Sequence, residues 1–406
     1  MATDAAVCDL SLSLPQKRLA DIFAFDSGIA ITWFLSALAL LIASIIALVS
    51  ASRHLMSYNL PVHQRPIVRI LLMIPIYGTL SWASLYFTRW AVYLVAIRDV
   101  YEAYTIASFF YLLLMYVGET PREQMRAIRA HTKPVRLFVP CCCFHIQPRS
   151  RHLLQVIKGG ILQVIVLKPL CSLVAVITQA LGVYCPDRVS LSHAKFWISI
   201  VGMNSLILCM VFLVTFYLVV RSDIRHHSPV AKFIGFKAII FLSLWQTVVI
   251  TICIGEFGAP ASVGLAAPEL INLLTCALIC LEMMFFALLQ AYSFSPQPYQ
   301  ALLPAKSRSL VMALLHAMNP MDLLKELAYG IRYIRWAWGG PLPQTHSDVE
   351  SLRSPDVAYF VETNAFMDKE DAKPAYDRSS KILHETQMYQ PKYMSPPEKP
   401  SLSYYP

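Results

Sequence analysis

The feature that most constrains the fold is an apolar run from Gly28 to Val49 that contains no charged residue. A run of about 20 apolar residues is long enough to cross the hydrocarbon core of a bilayer as a helix. Further runs of similar length follow it along the chain. They are Ile67–Phe87, Ala91–Val117, Gly160–Tyr184, Phe196–Val219, Phe233–Ile254 and Pro268–Phe294. The sequence therefore predicts an integral membrane protein that crosses the bilayer seven times.

The composition points the same way. Of the 406 residues, 56% are hydrophobic and only 15% are charged, whereas soluble domains average about 25% charged residues. So few charges cannot cover several soluble domains. The net charge of +9 is concentrated in short loops between the apolar runs, where lipid headgroups are the expected partner. We therefore expect membrane lipids, and no nucleic acid, as partners.

Basic residues are distributed unevenly between the connections. The connections after the first, third and fifth runs contain Arg53, Arg65, Arg122, Arg126, Arg129, Lys133, Arg136, Arg149, Arg151, Arg221, Arg225 and Lys232. The alternate connections contain little beyond Arg89, Arg188 and Lys195. The seven apolar runs predict an all-α bundle of seven transmembrane helices, and the basic connections predict its orientation because basic loops remain in the cytosol. Its N-terminus is exterior or lumenal and its C-terminus is cytosolic.

Changes in composition divide the chain into four parts. Residues 1–27 form an exterior segment, 28–294 the bundle, 295–338 a cytosolic juxtamembrane segment, and 339–406 a tail. The tail is rich in Pro, Ser, Tyr and charge, which predicts disorder. Within the juxtamembrane segment, Asn319–Trp338 has the pattern of an amphipathic helix, with Asn319 as its N-cap and Pro320 at its first position. This helix lies either in the cytosolic membrane interface or against the underside of the bundle.

Several short motifs occur in order along the bundle. They are Gln64–Tyr77 (QRPIVRILLMIPIY), Arg98–Ile106 (RDVYEAYTI), Gln163–Pro169 (QVIVLKP), Lys232–Gln246 (KFIGFKAIIFLSLWQ) and Ile279–Ala287 (ICLEMMFFA). Over about residues 28–335 the chain resembles the organic solute transporter alpha / transmembrane protein 184 family. The resemblance implies a seven-helix bundle with an exterior N-terminus. It also implies facilitated movement of organic solutes such as sterol or bile-acid conjugates, although fold carries over more strongly than function.

Polar side chains within the predicted spans are the candidates for a solute path. They are Arg98, Asp99, Glu102, Lys168, Asn204, Gln246 and Glu282. At 1.5 Å per residue from Ala91, Glu102 lies about 16 Å deep, near the midplane. Lys168, Glu282, Asn204 and Gln246 reach a similar depth in their own spans. Arg98 and Glu102 are four residues apart and share a helix face, so that they can pair. Because charges at this depth are costly, they should face the bundle interior or a wet cavity. Two interpretations remain open. The residues line a polar path, with Lys168 as an anion contact and Glu102 or Glu282 as a proton or cation site, or they form ion pairs that only tie helices together.

Other residues in the spans have simpler interpretations. Pro75 and Pro169 each remove a backbone hydrogen bond and should kink their helices. Lys168 directly precedes the second of these prolines, and broken helices at the midplane mark binding sites in transporters. Arg69, Lys158 and Lys237 lie nearer the cytosolic edge. We attribute these three to snorkelling towards the interface.

The ten cysteines include a consecutive cluster, Cys141, Cys142 and Cys143, in the long cytosolic connection after the third span. A juxtamembrane cluster of this kind is typical of S-acylation. Unmodified thiols and, with His145, a metal site are the alternatives. Loss of hydroxylamine-sensitive labelling in the triple Cys→Ser variant would distinguish acylation from both. Cys8 and Cys185 both map to the exterior side, and whether they form a disulfide stays open.

Other classes of function can be judged by the residues that they require. All eleven histidines fall in loops, helix ends or the tail, which disfavours an intramembrane metallohydrolase, and no phosphate-binding loop or serine elbow occurs. We therefore expect no enzyme activity, no cofactor and no metal. The leading interpretation is a transporter of small organic solutes. The alternatives are a sensing receptor and a scaffold that regulates membrane traffic. The sequence leaves open the plasma membrane or a vacuole-like endomembrane, and a homo-oligomer or a single-span partner subunit.

The predicted topology can be tested with tags on intact cells that display the protein at their surface. We expect an N-terminal tag to be digested by external protease and a C-terminal tag to be protected, because basic connections stay in the cytosol. A protected N-terminal tag together with an accessible connection around Cys185 would contradict the orientation.

Overall fold

A computed structural model of the protein describes residues 27–87, 90–118, 121–130, 135–136, 145–146, 153–184, 191, 193–221, 242, 245–246, 248–254, 256, 267–300 and 309–328. Several predictions fall outside these residues. They concern the exterior segment with Cys8, the cluster Cys141–Cys143, Cys185, Lys237, most of the run Phe233–Ile254, and the tail 339–406.

The described residues are mainly helical. The helices are α1 (Ser27–Met56), α2 (Pro61–Tyr86), α3 (Ala91–Val117), α4 (Pro121–Ala130), α5 (Leu153–Ala180), α6 (Ala194–Val220), α7 (Ala267–Ser293), α8 (Gln297–Gln300) and α9 (Leu310–Met318). Residues 248–254 and 321–328 are also helical. Two short strands, β1 (Val135–Arg136) and β2 (His145–Ile146), pair antiparallel with Val135 opposite Ile146.

Six of these helices, α1, α2, α3, α5, α6 and α7, are long and apolar enough to cross a membrane. They coincide with six of the predicted runs, and residues 248–254 lie at the end of the remaining one. The prediction of an all-α, multi-pass membrane protein is therefore confirmed. The seventh span and the orientation of the termini stay predictions. We call the end where α1 ends and α2 begins the inner end, and the opposite end the outer end.

The third helix lies at the centre of the bundle. It packs against α2 and α5, while α5 packs against α6, and α2 also contacts α1 and α7. In α3, 78% of the apolar window is buried, against 39% in α1. Every residue from Thr105 to Met115 is buried. The inner half of α3 is therefore enclosed by protein on all sides.

Both prolines singled out in the sequence lie within helices, Pro75 in α2 and Pro169 in α5. Membrane helices tolerate proline because neighbouring helices and side chains can bond the freed backbone groups. Lys168 therefore sits beside a position at which the backbone ladder of α5 is interrupted.

The α5–α6 contact depends on a close approach at one of two adjacent glycines. A Cβ added at Gly160 would collide with the ring of Phe212, whereas one added at Gly159 would have no heavy atom within 4 Å. Small residues at such positions let membrane helices approach closely.

This pair gives a matched test of helix packing. We expect Gly160→Ala to lower the free energy of unfolding by about 1–3 kcal/mol, the usual range for overpacking. Gly159→Ala should leave it unchanged or raise it slightly, because alanine is the better helix former. Thermal unfolding of both variants in nanodiscs measures the difference. Equal melting temperatures would contradict a tight α5–α6 contact.

Candidate functional site

Four of the predicted site residues lie together between α3 and α5, and we call them the outer cluster: Arg98, Asp99, Glu102 and Lys168. The Lys168 ammonium nitrogen lies 3.3 Å from Asp99 Oδ2 and 3.3 Å from Glu102 Oε2. Arg98 Nε lies 3.8 Å from Asp99 Oδ1. Glu102 therefore pairs with Lys168 on another helix, and Arg98 pairs with its neighbour Asp99. Two positive and two negative charges make the cluster formally neutral.

The cluster becomes more open towards the outer end of the bundle. The side chains of Glu102 and Lys168 are 6% and 9% exposed, whereas those of Arg98 and Asp99 are 17% and 29% exposed. Counting along the helices, Arg98 lies about 10 Å and Lys168 about 18 Å from the outer ends of α3 and α5. A polar group entering from the outer end would therefore meet Arg98 and Asp99 first.

Arg98 uses little of its hydrogen-bonding capacity. A guanidinium has five N–H donors, and Arg98 donates one hydrogen bond, from Nη1 to Ser81 Oγ at 3.3 Å. Its Nε is buried and has no hydrogen-bond partner among the described residues. The guanidinium carbon also lies 4.9 Å from the centroid of the Tyr77 ring, at a distance typical of a cation–π contact. Arg98 of α3 is thus held against Ser81 and Tyr77 of α2, and its other N–H groups donate no hydrogen bond to the described residues.

A chain of polar contacts continues from Arg98 towards the outer end between α2 and α7. Ser84 Oγ donates to the backbone oxygen of Ser81 and lies 3.4 Å from Cys276 Sγ. Cys276 Sγ in turn donates to Asn272 Oδ1 at 3.4 Å. Sequence reasoning missed this chain because small polar residues are common in membrane helices and carry no signal by themselves.

The other predicted site residues are not bonded to the outer cluster. Asn204 is exposed on α6, where Nδ2 donates to the backbone oxygen of Ile200 in its own helix. Gln246 Nε2 and Glu282 Oε2 are buried and have no hydrogen-bond partner in the described part of the chain. Of the predicted set, the structure therefore brings together Arg98, Asp99, Glu102 and Lys168.

A second buried group, which we call the inner cluster, lies at the inner end and centres on Arg69 of α2. Arg69 Nη1 and Nη2 each donate to Asp322 at 2.8 Å, one to each carboxylate oxygen. Nε donates to the backbone oxygen of Ala317 at 2.7 Å and Nη2 to that of Asn319 at 2.6 Å. Nη1 also reaches Ser108 Oγ at 3.5 Å. The side chains of Arg69 and Asp322 are both 0% exposed.

The prediction that Arg69 and Lys158 snorkel towards the interface is wrong. Arg69 is buried against Asp322, and Lys158 is 1% exposed and pairs with Glu326 at 3.0 Å. Both partners lie on the segment that follows the last span. A basic residue near the end of an apolar run has the same sequence pattern whether it snorkels or meets a distant acid. The sequence alone therefore cannot distinguish snorkelling from pairing with a distant acid.

Further contacts fasten the segment after α7 to the inner ends of α1 and α2. His54 Nε2 lies 2.9 Å from the backbone oxygen of Phe294, and Asn59 Nδ2 donates to that of Tyr299 at 2.8 Å. His316 of α9 lies between two polar groups, with Nδ1 3.1 Å from Tyr58 and Nε2 2.8 Å from Arg65. These contacts join helices far apart in the sequence.

The predicted helix start at Asn319 is present. Asn319 Oδ1 accepts a hydrogen bond from the backbone N–H of Met321 at 3.1 Å, and residues 321–328 are helical. In the first turn, Asp322 and Leu323 are buried. The described part of this helix therefore packs against the bundle, one of the two arrangements expected from the sequence.

Comparison with known proteins identifies relatives of this chain. The sequence model of the family described as Organic solute transporter Ostalpha matches residues 32–299. A transmembrane protein 184 homolog of Dictyostelium discoideum is 32% identical over 257 residues, which cover 63% of this chain and 50% of that protein. The chain thus spans about half the length of this relative. No solved structure is significantly similar to this chain.

The contacts of the inner cluster predict how a substitution at Asp322 changes the stability of the protein. We expect Asp322→Asn to lower the free energy of unfolding by about 3–5 kcal/mol, because it leaves a buried guanidinium without its countercharge. Lys325→Gln is the control, since Lys325 lies three residues away and is exposed. Thermal unfolding of the purified protein in nanodiscs compares the two. Equal melting temperatures would mean that the Arg69–Asp322 pair contributes nothing net to stability.

Proposed function

Because the chain belongs to the organic solute transporter alpha family, we propose that it is a facilitated transporter of amphipathic organic solutes, such as sterol or bile-acid conjugates. In this proposal the outer cluster contacts the polar group of the solute. The family and the six apolar helices support membrane transport in general. The class of solute and the role of each residue belong to the proposal.

The observation that carries the proposal is the contrast between the buried Arg69 and the partly buried Arg98. Arg69 makes five hydrogen bonds to Asp322, Ser108 and two backbone oxygens, whereas Arg98 donates one. A buried donor without an acceptor is costly. Arg69 is thus fully used in holding the fold, while Arg98 retains donors for an incoming acceptor.

The arrangement suits a solute with an anionic group. A carboxylate or sulfate matches the planar donors of a guanidinium, and Asp99 is the most exposed of the acids in the cluster. An anionic group that replaced Asp99 beside Arg98 and Lys168 would exchange one ion pair for another. Such an exchange would lower the cost of bringing the group towards the midplane, where an unpaired charge is unfavourable.

The proposal can be tested by solute flux through the purified protein in liposomes, with taurocholate and dehydroepiandrosterone sulfate as probes. We expect Lys168→Met to reduce saturable flux more than Lys168→Arg does, because only arginine keeps the positive charge. Asn204→Ala should be neutral, since Asn204 is exposed and its one hydrogen bond within the described residues is to its own helix. Melting temperatures measured alongside separate a loss of flux from a loss of folded protein.

The double variant Glu102→Gln with Lys168→Met distinguishes a solute contact from a purely structural pair. It removes both charges, so stability should be recovered relative to Lys168→Met, in which Glu102 is left unpaired. We expect the stable double variant to remain poor in transport. Full flux in that variant would exclude a transport role and leave the pair as a tie between α3 and α5. Saturable flux by the chain alone would in addition show that no partner subunit is required.

A further inference from the structure

The short helix α9 has an unusual composition for a helix outside the spans. Its sequence, LVMALLHAM, contains no Asp, Glu, Lys or Arg, and His316 is its one polar residue. With nine residues it is about 14 Å long, too short to cross a bilayer. A helix that is apolar on all sides needs an apolar environment on all sides.

Within the part of the chain that the structure describes, one side of α9 packs against the bundle. Ala313 and Ala317 are buried in a small apolar cluster with Leu55, Tyr58 and Val68 at the inner ends of α1 and α2. The opposite side consists of Val311, Met312 and Leu315, whose exposed fractions are 61%, 65% and 63%. On a soluble surface this outward side would be polar.

The position of α9 along the bundle identifies what covers its outward side. The 30 residues of α1 extend over about 45 Å, whereas the hydrocarbon core is about 30 Å thick. If α1 is centred in the bilayer, its last five residues project into the headgroup region. Leu55 belongs to this part, and Val68 lies about 10 Å from the start of α2. The cluster beneath α9 is thus at the boundary between headgroups and acyl chains.

Exposed residues near α9 support the same position, at the boundary between headgroups and acyl chains. Met56, the last residue of α1, is 69% exposed and continues the apolar surface next to Leu55. Arg53 is exposed one turn before the end of α1, where a cation meets lipid phosphates. At the other end of α9, Asn319 is exposed. Exposed apolar residues of α1 and α9 thus lie at the same end of the bundle.

We propose that α9 is an interfacial helix whose Val311, Met312 and Leu315 lie among the acyl chains of the leaflet at the inner end. The sequence predicted an amphipathic helix later, over Asn319–Trp338, lying either in the interface or against the underside of the bundle. The amphipathic pattern there is clearer, whereas α9 is so uniformly apolar that it shows little periodicity. The proposal concerns a lipid contact and does not depend on the transport function.

Two adjacent leucines allow a matched test on the full-length protein in phosphatidylcholine liposomes. Leu315 points outward, whereas Leu314 packs against the cluster formed with Leu55 and Val68. Photoreactive benzoylphenylalanine is incorporated at one position or the other, and the irradiated protein is analysed by mass spectrometry. We expect a mass increase of one phosphatidylcholine molecule for position 315, and a cross-link within the chain for position 314.

Each other outcome would overturn the proposal. Cross-linked dimers from position 315 would show that a second copy covers this side of α9, and the absence of any adduct would show that water does. If the substituted protein at position 315 does not elute and melt like the unmodified chain, Val311 provides a second outward position. Leu315→Glu gives an independent measurement, because a charge should drive α9 out of the acyl region. Faster amide hydrogen exchange over residues 310–318 is then expected, with Lys325→Glu as the unchanged control.

Discussion

The burial of Arg69 is the constraint on which the inner end of the molecule depends. A guanidinium in the middle of packed helices requires a countercharge and hydrogen-bond acceptors, since an unpaired buried charge costs several kcal/mol. Here Asp322 supplies the charge from 253 residues further along the chain, and the backbone oxygens of Ala317 and Asn319 supply further acceptors together with Ser108 Oγ. The segment after the last span is therefore an integral part of the bundle. It joins α2 and α3 to residues that the sequence assigned to a juxtamembrane region.

The two buried clusters illustrate how charges in a membrane bundle can differ in purpose. The inner cluster is closed, because each donor of Arg69 faces an acceptor and both partners are fully buried. The outer cluster is balanced in charge but incompletely bonded, and it opens towards one end. Burial alone does not separate the two, since Glu102 and Lys168 are nearly as enclosed as Arg69. What separates them is the number of donors left without an acceptor.

The sequence predicted the parts of the structure that depend on local properties. Run length and hydropathy are enough to locate a membrane helix, and counting residues placed Glu102 and Lys168 at a common depth, where they form an ion pair. It could not assign Asn204 to a helix face, because spans that are apolar all round lack the periodicity that identifies a buried side. Asn204 therefore has the expected depth but is exposed on α6. The Arg69–Asp322 pair could not be predicted either, since no local sequence pattern relates two charges that lie 253 residues apart.

The arrangement of the two clusters sets a condition on any passage through the bundle. A solute group that reached Arg98 and Lys168 from the outer end would meet, further in, the enclosed residues Thr105–Met115 and then the closed inner cluster. Among the described residues, packed side chains therefore occupy the inner half of α3 and the inner cluster. A solute that moved between α2 and α3 at this end would require α9 and residues 321–328 to separate from these two helices. Separation would expose the Arg69–Asp322 pair to water, and hydration would then offset part of the lost contact energy. The net cost of opening is therefore smaller than the direct attraction between Arg69 and Asp322 would suggest.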